Sequence, residues 1–293
     1  MNNLELFISY LTFEKRYSAH TCSAYKHDLE QYSAFILKEF EEADLINVNH
    51  RIIRQWLSSL MENEMDARSV NRKISCLKSF YKYMIRLGKM QTNPMLKIVS
   101  PKTAKKLPVY IQAEKMDNLL DRVAWKDDFE GIRNHLIIEL FYTSGMRLAE
   151  LMSLTAASIN FNQKQLKVLG KRNKERIIPI LPEMAEHIKK YTQLRNALNP
   201  DTDFLFVMEN GKALYRSAIY RLVNKELGQV TSQEKRSPHV LRHSFATEML
   251  NNGADLNAIK EILGHANLQA TQVYTHNTIE KLKKAYTKAH PRA

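Results

Sequence analysis

Apolar residues recur every three or four positions through the first 87 residues, and that spacing predicts four helices. Leu4, Phe7, Ile8 and Leu11 mark the first, over 3–14. Ser18 is placed to cap the second, in which Cys22, Tyr25, Leu29, Tyr32 and Ile36 recur. Asn47 or Asn49 can cap the third, with Ile52, Ile53, Trp56, Leu57 and Leu60 on its inward side. The fourth runs from about Ala67 to Leu87, with Val70, Ile74, Leu77, Phe80, Tyr81 and Met84 inward. Its outer side is expected to carry Arg68, Arg72, Lys73, Lys78 and Lys82, as either a solvated face or a contact for a polyanion. Gly88 ends this helix. From 88 to 108 the periodicity stops, and Pro94, Pro101, Pro108, Lys97, Lys102, Lys105 and Lys106 describe an extended basic linker.

A second domain is expected over 109–293. Helical patterns fall at about 113–123, 130–144, 147–153, 183–197 and 215–227. Between them lies the clear β signal: Gln165–Leu169 alternates, 170–174 turns, and Arg176–Ile180 returns, with Pro179 suited to an edge strand. Residues 203–207 read as a further short strand. Ser237 before Pro238 is a helix start, Gly253 a stop, and a short helix should follow over about 255–263 before Gly264. The expected fold is mainly α with a small β-hairpin, in two domains.

Composition narrows the partners. Lys plus Arg is 44 against 31 for Asp plus Glu, a net +13, which favours a polyanion: nucleic acid or an anionic membrane surface. No apolar run approaches a membrane span, and the amphipathic N-terminus with Glu5 and Glu14 is no signal peptide. The two cysteines, Cys22 and Cys76, fall within helical patterns and are expected to be reduced core residues of a cytoplasmic protein.

The chemistry concentrates near the C-terminus. His239 and Arg242 are three apart at a helix start, on one face, where unpaired N–H groups and the dipole already concentrate positive charge. A cation and an imidazole there suit a site that receives an anion, and a phosphate is the natural candidate. There is no Walker or GxGxxG loop, no tight carboxylate cluster and no CxxC pair. His239 and His243 have a zinc spacing, but Val240 stands where a zinc protease helix needs Glu. Neither a metal nor a nucleotide cofactor has support in the sequence. Arg147, Lys171, His239, Arg242, His265 and Tyr274 remain as a dispersed set, each with an ordinary structural reading when taken alone.

As a set they resemble the tyrosine site-specific recombinases of the phage integrase family, Xer type. The resemblance runs through Thr143-Ser-Gly-Met-Arg147-Leu-Ala-Glu150, Gly170-Lys171-Arg-Asn-Lys-Glu-Arg176, Pro238-His-Val-Leu-Arg-His243, Leu263-Gly-His265, Val273-Tyr-Thr-His276 and His290-Pro-Arg-Ala293. It extends to the N-terminal half through Glu14–Leu29 and Ala67-Arg-Ser-Val-Asn-Arg72-Lys. Arg172 and Met146 depart from residues usual in the family, at positions outside the catalytic set. The resemblance implies a SAM-like core-binding domain over 1–87, a linker over 88–108, and a mixed α/β catalytic domain over 109–293. It implies cleavage without metal or ATP through a 3′-phosphotyrosine on Tyr274. Arg147 and Arg242 would clamp the phosphate, Lys171 would protonate the leaving oxygen, His239 would act as base, and His265 would donate to the phosphate. Arg68, Arg72 and Lys73 would contact DNA. The implied partners are double-stranded DNA, a tetramer of this chain or of a paralogue on two sites, and a DNA translocase as regulator. The implied role is resolution of chromosome dimers at cell division, with a helix over about 278–289 coupling subunits. A mobile-element integrase or transposase shares the chemistry, a type IB topoisomerase shares most of the set, and a non-catalytic DNA-binding protein is the reading from another class.

Overall fold

Ser18 and Asn49 do cap helices. The Ser18 hydroxyl accepts from the Thr21 N–H, and the Asn49 carbonyl accepts from the Arg51 and Ile52 N–H groups. The fold is given by a computed structural model that describes residues 2–42, 44–103, 109–170, 175–264 and 284–292. The chain divides into two units, Met1–Lys106 and Leu107–Ala293.

In the first unit, α1 (Asn3–Ser9) continues into a wide helical turn over Tyr10–Glu14 and is followed by α2 (Ala19–Phe40), α3 (His50–Glu62) and α4 (Ala67–Arg86). Their inward stripes meet in one core that includes Phe7, Leu29, Tyr32, Trp56, Ile74 and Phe80. Both cysteines are free and buried, and burial pushes the Cys76 thiol far above its ordinary pKa, so it stays protonated. Residues Pro94–Lys97 form a short 3-10 turn inside the expected linker. One expectation for α4 is corrected. Lys73 is buried, not outward: its Nζ lies 2.7 Å from Asp28 Oδ1, also donates to Gln31, and sits over the Trp56 ring. The position next to Arg72 turns toward the seam with α2, where Asp28 is itself buried and needs a cation. Arg72 also reaches Asp28 but stays partly exposed, its side chain 42% open, while Arg68, Lys78 and Lys82 are exposed.

The second unit contains α5 (Ala113–Asp117), α6 (Phe129–Ser144), α7 (Leu148–Met152), β1 (Ile159–Asn160), β2 (Gln165–Leu169), β3 (Glu175–Pro179), α8 (Pro182–Ala197), α9 (Arg216–Gly228), α10 (Pro238–Asn251) and α11 (Leu256–Leu263). The strands form one antiparallel sheet in the order β1-β2-β3, which leaves Pro179 on an edge as expected. β1 adds a strand that two residues were too few to announce. Residues 203–207 make only isolated bridges, Thr155 to Phe204 and Val207 to Ala213. α6 is the central element: every side chain from Leu136 to Ser144 is buried. An apolar stripe would cover one face, but α6 is enclosed on all sides by α8, α10 and the chain's C-terminal residues.

Those last residues dock on their own unit. Residues 284–289 are helical, and Tyr286, Ala289 and His290 are buried. The Tyr286 hydroxyl and His290 Nε2 both donate to the Thr143 carbonyl, at 2.8 and 3.0 Å, and His290 Nδ1 accepts from the Arg292 N–H. Burial holds His290 down at about 4, so the imidazole is neutral and both ring nitrogens keep these fixed roles. The rest of the expected coupling helix, 278–283, lies outside the described residues.

Candidate active site

The site begins at two helix ends. α6 stops at Gly145 in the left-handed region, φ +59°, and a Cβ there would lie 2.5 Å from the Phe245 ring and 2.7 Å from Leu263. Only glycine fits both the turn and the contact. α11 stops at Gly264, φ +65°. Each stop leaves carbonyls without helical partners, at the negative end of the dipole. Arg242, from the first turns of α10, fills that demand: NH1 donates to the Gly145 carbonyl at 2.5 Å and NH2 to the Leu263 carbonyl at 2.7 Å. Gly145, Leu263 and Arg242 therefore lock α6, α11 and α10 together at one point.

Arg147 stands two residues beyond Gly145, at the N-cap of α7. Its backbone N–H donates to Glu150 Oε2 at 2.6 Å, its NH1 to Glu150 Oε1 at 2.8 Å, and its NH2 to the Gly264 carbonyl at 3.2 Å. Glu150 is buried and also accepts a two-pronged fork from Arg176 of β3, at 2.7 Å for each prong. Burial pushes the Glu150 carboxyl up, but the Arg176 fork and then Arg147 outweigh it, and the group is held below its ordinary value. Three guanidiniums thus surround one carboxylate. Arg242 carries the consequence: burial first, then repulsion from Arg147 and Arg176, pushes it down to about 9, with Glu150 only partly opposing. Each guanidinium has five N–H donors, and Arg147 and Arg242 each spend two on protein oxygens. Spare donors and unbalanced positive charge make the site receptive to an anion.

His239 lies on the first turn of α10, three residues before Arg242, and is exposed. Ser237 holds the N-cap position in extended conformation and Pro238 opens the helix as expected, but the Ser237 hydroxyl makes no capping bond. Lys171, His265 and Tyr274 lie outside the described residues, as do Lys105 and Lys106 of the linker. The structure thus brings Arg147 and Arg242 to the same pair of helix ends, with His239 on the same helix as Arg242. It adds two residues to which the sequence reading gave no role, Glu150 and Arg176. Both had signals. Glu150 stands three after Arg147, the spacing of a helix-start carboxylate, and Arg176 shares the inward phase of its strand with Ile178 and Ile180.

Family comparison bears on the whole chain. Residues 110–281 match the phage integrase family, and residues 4–88 match its N-terminal SAM-like domain. The chain belongs to the phage integrase family. It is 36% identical to the tyrosine recombinase XerC of Pelobacter propionicus, over 100% of this chain and 96% of that one. It is 37% identical to the XerC of Oceanobacillus iheyensis, over 100% and 98%. These relatives place it among the Xer-type tyrosine recombinases, enzymes that cut and rejoin DNA at specific sites. Its fold matches the XerH site-specific recombinase in a post-cleavage complex with palindromic difH substrate, with TM-score 0.74, 22% identity, and coverage of 97% and 83%.

Away from the arginines, the described residues of this recombinase include one set that could hold a metal: His135, Glu139 and His187, with ligand atoms within 4.8 Å of one another. His187 Nδ1 lies 2.7 Å from Glu139, and that contact raises the His187 pKa. Burial lowers that of His135, whose Nε2 faces the Leu120 carbonyl. The geometry is that of an ion pair joining α6 to α8. Among the described residues, no helix is long and apolar enough to cross a membrane.

Proposed function

We propose that this recombinase resolves chromosome dimers in the cytoplasm, at a site near the replication terminus, by way of a 3′-phosphotyrosine. The observation that carries the chemistry is the pair Arg147 and Arg242, fixed at two helix ends with N–H donors to spare. In this reading they bind the nonbridging oxygens of the scissile phosphate and stabilise the charge that builds in the transition state. The Tyr274 oxygen forms a bond to phosphorus as its proton passes to His239. The bond from phosphorus to the 5′ oxygen breaks, and Lys171 gives that oxygen a proton. His265 donates a hydrogen bond to the phosphate. The ester keeps the bond energy, so rejoining is the same step reversed and needs no ATP. Four chains, of this protein or with a paralogue, act on two duplexes, with a DNA translocase as regulator; residues 284–289, expected to couple neighbours, dock instead on their own unit.

The test is a supercoiled plasmid carrying two copies of the terminus site, incubated with purified protein in EDTA without ATP. Recombinant circles should form, with four chains per two duplexes in the assembled complex. Nicked or relaxed plasmid without exchange would overturn the reading in favour of a topoisomerase.

A second proposal concerns the helical unit, where Arg68 and Arg72 remain exposed on α4 once Lys73 is removed from that face. If both touch phosphates, the double variant Arg68→Ala/Arg72→Ala should flatten the log–log salt dependence of duplex binding by roughly 0.9 per lost contact. Lys73→Ala should instead lower the melting temperature, because it leaves Asp28 buried with one partner fewer. An unchanged salt slope in the double variant would make the α4 face merely solvated.

A further inference from the structure

We propose that Arg176 is a positioning residue for DNA cleavage: from β3 it fixes, through Glu150 and the α11 end, the placement of Arg147. The inference rests on the reading of Arg147 as a phosphate clamp. Arg176 is almost fully buried, its side chain 4% exposed, so it touches no DNA itself. Its bonds all point inward. NH1 and NH2 grip the Glu150 carboxylate, and Nε donates to the Ile262 carbonyl at 2.7 Å. Glu150 passes that constraint on, since it holds both the backbone N–H and the NH1 of Arg147. The α11 end closes the circuit. Ile262 belongs to its last turn, a Cβ on Gly264 would meet Arg176 Cδ at 3.2 Å, and the Gly264 carbonyl accepts from Arg147.

One buried side chain therefore ties together three stretches that carry the expected chemistry. Arg147 is the first. The second is the β2–β3 pair: Arg176 pairs with Val168, one rung from the last pair Leu169–Glu175, and Lys171 follows Leu169 by two residues in sequence, outside the described residues. The third is Gly264, the residue before His265. Stability alone does not call for this arrangement. An apolar side chain would suit an inward strand position, as Ile178 does two residues on, and a buried ion pair seldom outdoes such packing. What the fork supplies is direction: it fixes which way the Glu150 oxygens face and so where the Arg147 fork points.

The charged groups facing Glu150 are Arg147 at the start of α7, Arg176 from β3 and Arg242 from α10. Without Arg176, only the Arg147 bonds and the charge of Arg242 oppose burial, so the Glu150 carboxyl takes up a proton at a higher pH than in the wild type. A protonated Glu150 holds Arg147 poorly. The cleavage rate of Arg176→Met relative to wild type should therefore fall as pH is lowered and recover as it is raised, a limb additional to any that the wild type shows.

The experiment measures covalent complex formation under single-turnover conditions on a nicked duplex carrying a site selected by the wild-type protein from a random pool. At pH 7, Arg176→Met should bind this duplex as tightly as wild type and cleave on the order of 10²-fold more slowly, the scale of a misplacement of about 1 Å. Arg176→Lys keeps a charge beside Glu150 but cannot span to the Ile262 carbonyl, so it should be slowed less and lack the new pH limb. If Arg176→Met fails to melt cooperatively, Arg176→Lys decides: wild-type cleavage in that folded variant overturns the proposal. Wild-type cleavage with an unchanged pH profile in folded Arg176→Met overturns it as well. Arg147→Ala is run alongside. If it cleaves like wild type, the clamp reading falls and the positioning role with it. If it is inactive while the Arg176 variants are normal, only the positioning role falls.

Discussion

Tyr274→Phe should bind duplex DNA with wild-type affinity and form no covalent complex with it. The substitution removes one oxygen, the atom that would become bonded to phosphorus, and keeps the ring. Two tyrosines follow the Leu263-Gly-His265 motif, Tyr274 and Tyr286. The structure eliminates the second. Tyr286 is 2% exposed, its hydroxyl donates to the Thr143 carbonyl, and burial drives its pKa far above the ordinary 10. A phenol must lose its proton to attack, and this one is held protonated away from solvent. The same argument removes Tyr32, Tyr81, Tyr142 and Tyr191, all fully buried and all with raised pKa values. Trapping on a nicked duplex followed by peptide mapping checks the expectation. Label on any tyrosine other than Tyr274 in the wild-type protein, or a covalent complex in Tyr274→Phe, would refute it.

How far the sequence could be read depended on which physical signal each residue carries. Helix positions followed from periodicity, and Asn49 resolved an ambiguity with Asn47 only because its carbonyl reaches two N–H groups of the first turn. Periodicity assigns a face to within about one residue in a helix that turns 100° per residue. Lys73 fell inside that margin: a pattern of charges placed it outward with Arg72, while a buried Asp28 on another helix drew it in. No local pattern reveals a partner 45 residues away. The two candidate arginines, Arg147 and Arg242, were legible as part of a set from its order and spacing, but what holds them was not. Gly145 directly follows the helix expected over 130–144, yet its role in offering a carbonyl to Arg242 across 97 residues exists only in the packed structure. Glu150 and Arg176 are 26 residues apart and in elements of different type, so their pairing leaves only the faint marks of helix-start spacing and strand phase. The central α6 is a similar case. Its periodicity placed the helix, but neither its enclosure nor the part that the chain's last residues take in it was read from the sequence.

Arg242→Lys is expected to slow covalent complex formation by a factor on the order of 10²–10³, the cost of removing one transition-state donor. From composition the change looks conservative, since it exchanges one cation for another. The structure makes it otherwise on two grounds. The guanidinium serves the Gly145 and Leu263 carbonyls with two nitrogens and still has donors for a phosphate, whereas one ammonium cannot span both helix ends and reach DNA. The second ground is charge. Burial, with repulsion from Arg147 and Arg176, brings the guanidinium down to about 9 from 12.5. The same surroundings act on a lysine whose ordinary pKa is about 10.4 and carry its titration toward neutrality. The lysine is then charged at low pH and loses its proton as pH rises. Cleavage by Arg242→Lys should therefore decline as pH rises through the neutral range, where the wild type keeps its charge. This is opposite in sign to the limb expected for Arg176→Met, which loses activity as pH falls. Measuring both variants on the same nicked duplex across that range separates a lost cation from a misdirected one. A flat profile at wild-type rate for Arg242→Lys would show that neither the fork nor the charge at this position takes part in cleavage.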